Sequence, residues 1–141
     1  MSNSALSRAG VTLGIGTDSA ASNTDLDLLS EARAVREIGK TVTARRLLRM
    51  LMSDGAKALG LDDDFGTLEH GKQADIAVFR TGPTAEPERD LVRHGGRDTL
   101  EAVCAAGIWR VREGRPCFPV GPIERAGARA RAVAEQAMDG A

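Results

Sequence analysis

The chain has 141 residues, which suits one ordinary domain and excludes a complete β/α barrel, since a barrel takes about 250 residues and seldom fewer than about 200. Hydrophobic residues make up 42% and charged residues 28%, a globular profile, and 19 basic against 20 acidic residues leave a net charge of −1, so no global field draws the chain to nucleic acid or an anionic membrane. No run approaches the ~20 apolar residues of a membrane span, the N-terminus has no apolar signal region, and Cys104 and Cys117 form neither a CxxC pair nor a disulfide framework, so a reducing cytoplasm is the expected compartment.

In chain order, SALSRAG reads as a helix end with Gly10 as its left-handed cap. VTLGIG, residues 11–16, is apolar without polar alternation, the pattern of a strand in a parallel sheet covered on both faces. TDSAASNT is a loop of small polar residues. DLDLLSEARAVREIG then carries Leu28, Leu29, Ala32, Val35 and Ile38 at helical spacing, with Asp25 and Asp27 where a helix N-terminus favours negative charge. TARRLLRMLMSDGAKALGL predicts a second helix, capped by Thr43, with Leu47, Leu48, Leu51, Met52 and Leu59 inward and Arg45, Arg46 and Arg49 as a solvated basic face. The period then changes: ADIAVFR, EAVCAAG and IWRVREG read as short strands, the last alternating Trp109 and Val111 against Arg110 and Arg112. TGPTAEPERDLVRHGGRD, with Pro83, Pro87 and a Gly pair, reads as a loop, and the Ala- and Arg-rich end after Pro122 as a surface helix or tail.

Asp18 is the first candidate for chemistry. It follows LGIGT at the C-terminal end of the predicted strand, the face on which barrels carry their catalytic groups. A carboxylate there can bind a metal or move a proton between a bound water and a leaving group. An aspartate in a polar loop serves equally as an Asx-turn or helix cap, and spacing does not separate the two roles. No G-x-S-x-G elbow, P-loop or complete dinucleotide fingerprint is present, and Ser4, Ser19 and Ser22 have no nearby His-Asp arrangement.

GTLEHGKQADIAVF, residues 66–79, resembles the G-[ST]-[LI]-E-x-G-K-x-A-D signature of the amidohydrolase superfamily. Its residues suit an architectural role: Gly66 and Gly71 permit tight turns, and Asp75 can bond backbone amides in the turn before the strand. GTDSAASN, residues 16–23, is similar to the loop after the last barrel strand in the metal-dependent deaminase and chlorohydrolase branch, which includes cytosine, guanine, S-adenosylhomocysteine and triazine hydrolases. SDGAKALGL and AVCAAGIWRVREGRP resemble that branch's late helix and closing strands, so the likeness runs from about residue 5 to residue 116.

The resemblance implies an α/β fold that is incomplete: the last β/α unit of a TIM-like metal-dependent hydrolase barrel together with C-terminal strands of the small β-sandwich. Residues 1–60 would be the C-terminal end of the barrel, 61–120 a β-sandwich segment, and 121–141 a terminal helix or tail. In the complete parent it implies hydrolysis of a C–N bond of a small heterocyclic or amide-like substrate by water activated on a divalent metal, zinc or iron. Asp18 would be a metal ligand and proton shuttle, and Ser19, Ser22 and Asn23 would line the substrate side of the loop. The family's metal also needs several histidines. This chain has two, His70 in the sandwich-entry turn and His94 in RHGGRD, and neither matches a ligand position. One carboxylate without placed imidazoles makes no tight zinc or iron site, so this chain alone is expected to hold no metal and to be inactive. Three readings follow: a fragment of such an enzyme, one chain of a split hydrolase or a homo-oligomer whose partner completes the site, or a non-catalytic interaction module. A small-molecule substrate is implied for the parent, with neither nucleic acid nor membrane as a partner.

Overall fold

The structure, a computed structural model, describes residue 6, residues 9–19 and residues 25–119. Ser22, Asn23 and the terminal segment 121–141 lie outside the described residues. The elements run α1 (Leu28–Ile38), α2 (Ala44–Leu51), α3 (Ser53–Ala58), β1 (Ile76–Phe79), α4 (Pro87–His94), a 3₁₀ turn (Arg97–Thr99), β2 (Leu100–Ala105), β3 (Ile108–Arg112) and β4 (Arg115–Pro116).

The helical core forms where α1, α2 and α4 meet. Leu29 and Ala32 of α1, Leu47 and Leu48 of α2, and Val92 of α4 are buried together, with Ile15, Val35 and Phe79 partly buried against them. Asp27 caps α1 by accepting the Leu29 amide at 2.9 Å, and Thr43 caps α2 by accepting that of Arg46. The predicted second helix is in fact two. The chain breaks at Met52 (φ −117, ψ −95), after which α3 starts on Ser53 and carries Gly55. The predicted basic face is also partly structural. Asp54, in the first turn of α3 and 7% exposed, pairs with Arg46 and with Arg49 at 3.1 Å, and Arg45 pairs with Glu88 of α4 at 3.1 Å.

The span 81–98, read from its prolines and glycines as a loop, contains α4. Proline is tolerated at the first helical turn, where its missing N–H has no partner to lose, and Pro87 opens the helix there. Glu88 and Asp90 at its start and Arg93 and His94 at its end complement the helix dipole, and Val92 anchors it in the core.

The four strands form one antiparallel sheet in the order β1-β2-β3-β4. Ala105 pairs with Ile108 and Arg112 with Arg115, so both β2–β3 and β3–β4 are two-residue hairpins. Their loop residues, Ala106–Gly107 and Glu113–Gly114, all have positive φ, the type I′ geometry that matches strand twist. Asp75 does bond a backbone amide, but a distant one: Ala106 N–H donates to its Oδ1 at 2.6 Å, and Gly107 N–H donates to the Ala74 carbonyl at 3.3 Å. The end of the 66–79 motif thus fastens the β2–β3 turn. Its beginning docks on α3, where a Cβ on Gly66 would lie 2.8 Å from Ala56 Cβ and 2.9 Å from Ser53 Cα.

The predicted strand at residues 11–16 belongs to no strand ladder among the described residues. A parallel strand exists only through its neighbours, and none of the described strands runs beside this segment. The Gly10 cap does form: its φ is 77, and the Val11 amide donates back to the Leu6 carbonyl at 3.1 Å.

Candidate functional site

The site is a loop held at both ends. Its incoming end is the apolar segment 11–16, which lies in the break between α2 and α3. Ile15 N–H donates to the Met50 carbonyl at 3.2 Å. In a continuous helix that carbonyl would serve the amide four residues on; the break gives it to Ile15. Close backbone approach makes this possible. A Cβ on Gly14 would lie 3.0 Å from Gly55 Cα, and one on Gly55 would lie 2.9 Å from the Met50 carbonyl oxygen.

Asp18 follows two residues after Gly16, exposed and in the left-handed region at φ 61. Aspartate is among the few residues that enter this region, yet still at some cost, and such conformations gather at functional loops. Ser19 is next to it and also exposed. Ser22 and Asn23 lie outside the described residues, so the structure brings Asp18 and Ser19 together and does not place the other two.

The outgoing end is fixed by Asp27. Its Oδ1 caps α1, and its Oδ2 takes Arg33 Nη2 at 3.0 Å. The same guanidinium donates through Nη1 to the carbonyls of Gly95 at 2.9 Å and Val92 at 3.4 Å, the free carbonyls at the end of α4. Asp27 N–H in turn donates to Asp25 Oδ1 at 3.1 Å. Sequence reasoning found the helix-start aspartates but missed Arg33, because its partners lie 59 and 62 residues away in a segment read as loop.

His70 is exposed in the turn before β1, and His94 is 68% exposed at the end of α4, with Nε2 4.0 Å from Asp90 Oδ1. Neither belongs to the loop that carries Asp18. Among the described residues no group of three or more His, Cys, Asp or Glu side chains could hold a metal ion. The donor set around Asp18 therefore does not fit a tightly bound zinc or iron without ligands from elsewhere. Among the described residues no helix is long and apolar enough to cross a membrane.

The amidohydrolase family profile matches residues 2–107. A 5-methylthioadenosine/S-adenosylhomocysteine deaminase of Haloarcula marismortui is 37% identical over 93% of this chain and 33% of its own length. One of Desulforudis audaxviator is 38% identical over 70% of this chain and 26% of its own. Among solved structures, a zinc-bound adenosine deaminase from Xanthomonas campestris superposes with a TM-score of 0.78 at 33% identity, covering 89% of this chain and 31% of that one. A zinc complex of atrazine chlorohydrolase from Arthrobacter aurescens gives 0.68 at 34% identity, covering 89% and 30%. The chain spans about a third of the length of the relatives it matches.

Proposed function

Since the chain belongs to the amidohydrolase family, we propose that it is the C-terminal third of a cytoplasmic hydrolase that cleaves a non-peptide C–N bond of a small heterocyclic substrate, such as the aminopurine ring that the names of its deaminase relatives imply. The observation that carries this reading is the placing of Asp18. An exposed carboxylate in a left-handed conformation follows the segment seated at Ile15, with exposed Ser19 beside it. A packed incoming segment presents a reacting group with less conformational search at each turnover.

In this reading Asp18 is one ligand of the metal and the group that accepts and returns a proton. Ser19, Ser22 and Asn23 contact the substrate. Residues 1–60 are the end of the barrel, 61–120 the sandwich segment and 121–141 the tail. A bound zinc or iron would take its imidazole ligands from a part of the fold outside these 141 residues. Residues 1–141 by themselves are therefore inactive, and activity needs the remaining ligands of the site.

Two measurements test this. Metal content is determined after loading with zinc or iron, for the chain and for Asp18→Ala. Substoichiometric metal in both is expected; one equivalent, lost on substitution, would mean that the chain builds its own site and is no fragment. The chain is then grafted in place of the matching third of the Xanthomonas campestris enzyme. Release of ammonia from adenosine or S-adenosylhomocysteine, abolished by Asp18→Asn, is the expected result. A graft that folds and binds zinc but is indifferent to Asp18→Asn would overturn the assignment.

A further inference from the structure

Resting on the hydrolase reading above, we propose that Arg33 is a positioning residue for the substrate side of the loop that Asp18 opens: it holds Asp27, where that loop ends, against the end of α4. One guanidinium serves acceptors from two elements. Nη2 donates to Asp27 Oδ2 at 3.0 Å, and Nη1 donates to the carbonyls of Gly95 at 2.9 Å and Val92 at 3.4 Å. The planar fork of arginine aims donors at both elements in one fixed geometry, which the point charge of an ammonium does not.

The end of α4 is the firm side of this tie. Val92 is fully buried against α1 and α2, and Gly95 is buried beside it. A Cβ on Gly95 would lie 2.8 Å from Leu29 Cδ1. The glycine pair of RHGGRD thus lets the end of α4 press on the first turn of α1, and it brings the Gly95 carbonyl within reach of Arg33. Asp27 is the adjustable side. Its Oδ1 accepts the Leu29 amide at 2.9 Å, its Oδ2 takes Arg33, and its own amide donates to Asp25 Oδ1 at 3.1 Å. The arrangement passes the position of α4 to Asp25 and Asp27 at the outgoing end of the loop.

Stability accounts for little of the tie. The side chains of Arg33 and Asp27 are 36% and 35% exposed, and an ion pair this open to water contributes little to folding. The start of α1 does not need it either, because Asp27 caps the helix through its other oxygen. The incoming end of the loop is seated without Arg33, by Ile15 on the Met50 carbonyl. Arg33 therefore governs the outgoing half. Ser22 and Asn23, the proposed substrate contacts, come shortly before Asp27 in the chain, whereas Asp18 follows the incoming segment. A change at Arg33 should weaken substrate binding and spare the metal and proton chemistry.

Arg33→Met and Arg33→Lys, made in the graft described above and in the chain itself, test this. In the graft, Arg33→Met should raise KM about tenfold with kcat and zinc content within about twofold of the parent graft. Arg33→Lys keeps a charge for Asp27 without the fork for the Gly95 carbonyl, and its KM should fall between. Loss of kcat, zinc and thermal midpoint together would show a merely structural role and overturn the proposal, as would an unchanged KM. In the chain itself, Arg33→Met should speed amide exchange at Asp27 and Leu29 and leave Ile15 as it was. Equal acceleration at all three, or none at Asp27, overturns the proposal. A parent graft that binds zinc and releases no ammonia would sink the enzymatic reading, and the exchange pattern would then decide whether Arg33 fixes the loop end. A parent graft that turns over and is indifferent to both Arg33 variants would do the reverse.

Discussion

Gly14 and Gly55 meet backbone to backbone, so closely that a Cβ on Gly14 would stand 3.0 Å from Gly55 Cα. This contact seats the segment that delivers Asp18 in the break between α2 and α3. Gly14→Ala should cost about 1–3 kcal/mol, the range for forcing extra atoms into a packed site. Gly16→Ala is the control, since a Cβ there meets nothing within 4 Å. Urea unfolding of the two variants decides: equal midpoints would mean that the segment does not pack in the break.

The Arg46–Asp54–Arg49 cluster ties α2 to α3 across the same break. Asp54 is buried while its partners are 33% and 61% exposed, so the carboxylate carries most of the desolvation. Removing it lets both guanidiniums return to water, and Asp54→Ala should cost about 1–3 kcal/mol. Exchange of the Met52 and Ala56 amides should rise with it, while β2 and β3 keep theirs. A loss that disappeared in moderate salt would mark the pair as a surface interaction instead.

Ala106 occupies the first position of a type I′ turn at φ 50, a conformation that costs an alanine about 1 kcal/mol or more. Ala106→Asn should stabilise the chain by about 0.5–1 kcal/mol, since asparagine tolerates this region. Asp75→Ala should destabilise it by about 1 kcal/mol through loss of the acceptor for the Ala106 amide. Thermal melts of both variants test the turn, and a destabilised Ala106→Asn would show that its side chain is obstructed.

Glu69 accepts a hydrogen bond from Thr67 Oγ1 at 3.0 Å and pairs with Lys72 Nζ at 3.2 Å, and these hold its carboxyl below the ordinary glutamate value. A carboxylate whose folded value is depressed adds stability above its unfolded value, and that stability is lost as pH falls through the folded value. The 62–72 turn should therefore loosen on acidification below the usual carboxylate range, and Glu69→Gln should remove that part of the acid dependence. Exchange of the Lys72 amide from pH 6 to pH 3 is the measurement; identical profiles in the two proteins would refute the coupling.

Much of this was legible in the residues because it is local. Thr43 and Asp27 announce helix starts, Gly10 a cap, and the short run around Val103 and the alternating one around Val111 two strands. The α4 helix was not legible, since Pro87 and Gly95 punctuate its ends as they would a loop and only Val92, buried against α1 and α2, tips the segment into a helix. The break at Met52 was equally hidden. Helical spacing runs unbroken from Leu47 to Leu59, and it takes the backbone of residues 11–16 lodged at Met50 to divide it. The candidate site divides the same way: Asp18 stood out by its position after the apolar run, whereas Arg33 has no local signal.

The sequence alone determined the family, through the 66–79 motif and the loop at 16–23, and with it the kind of chemistry to look for around Asp18. Motifs survive in sequence because turns, caps and close approaches each depend on residues a few positions apart. Tertiary structure alone decided where those pieces meet: that Asp75 fastens the Ala106 turn, that Arg33 ties Asp27 at the start of α1 to the end of α4, and that Met52 and Leu59 are exposed among the described residues. Each of these depends on groups brought together across tens of residues, or on a neighbour that periodicity calls for and the described fold does not contain.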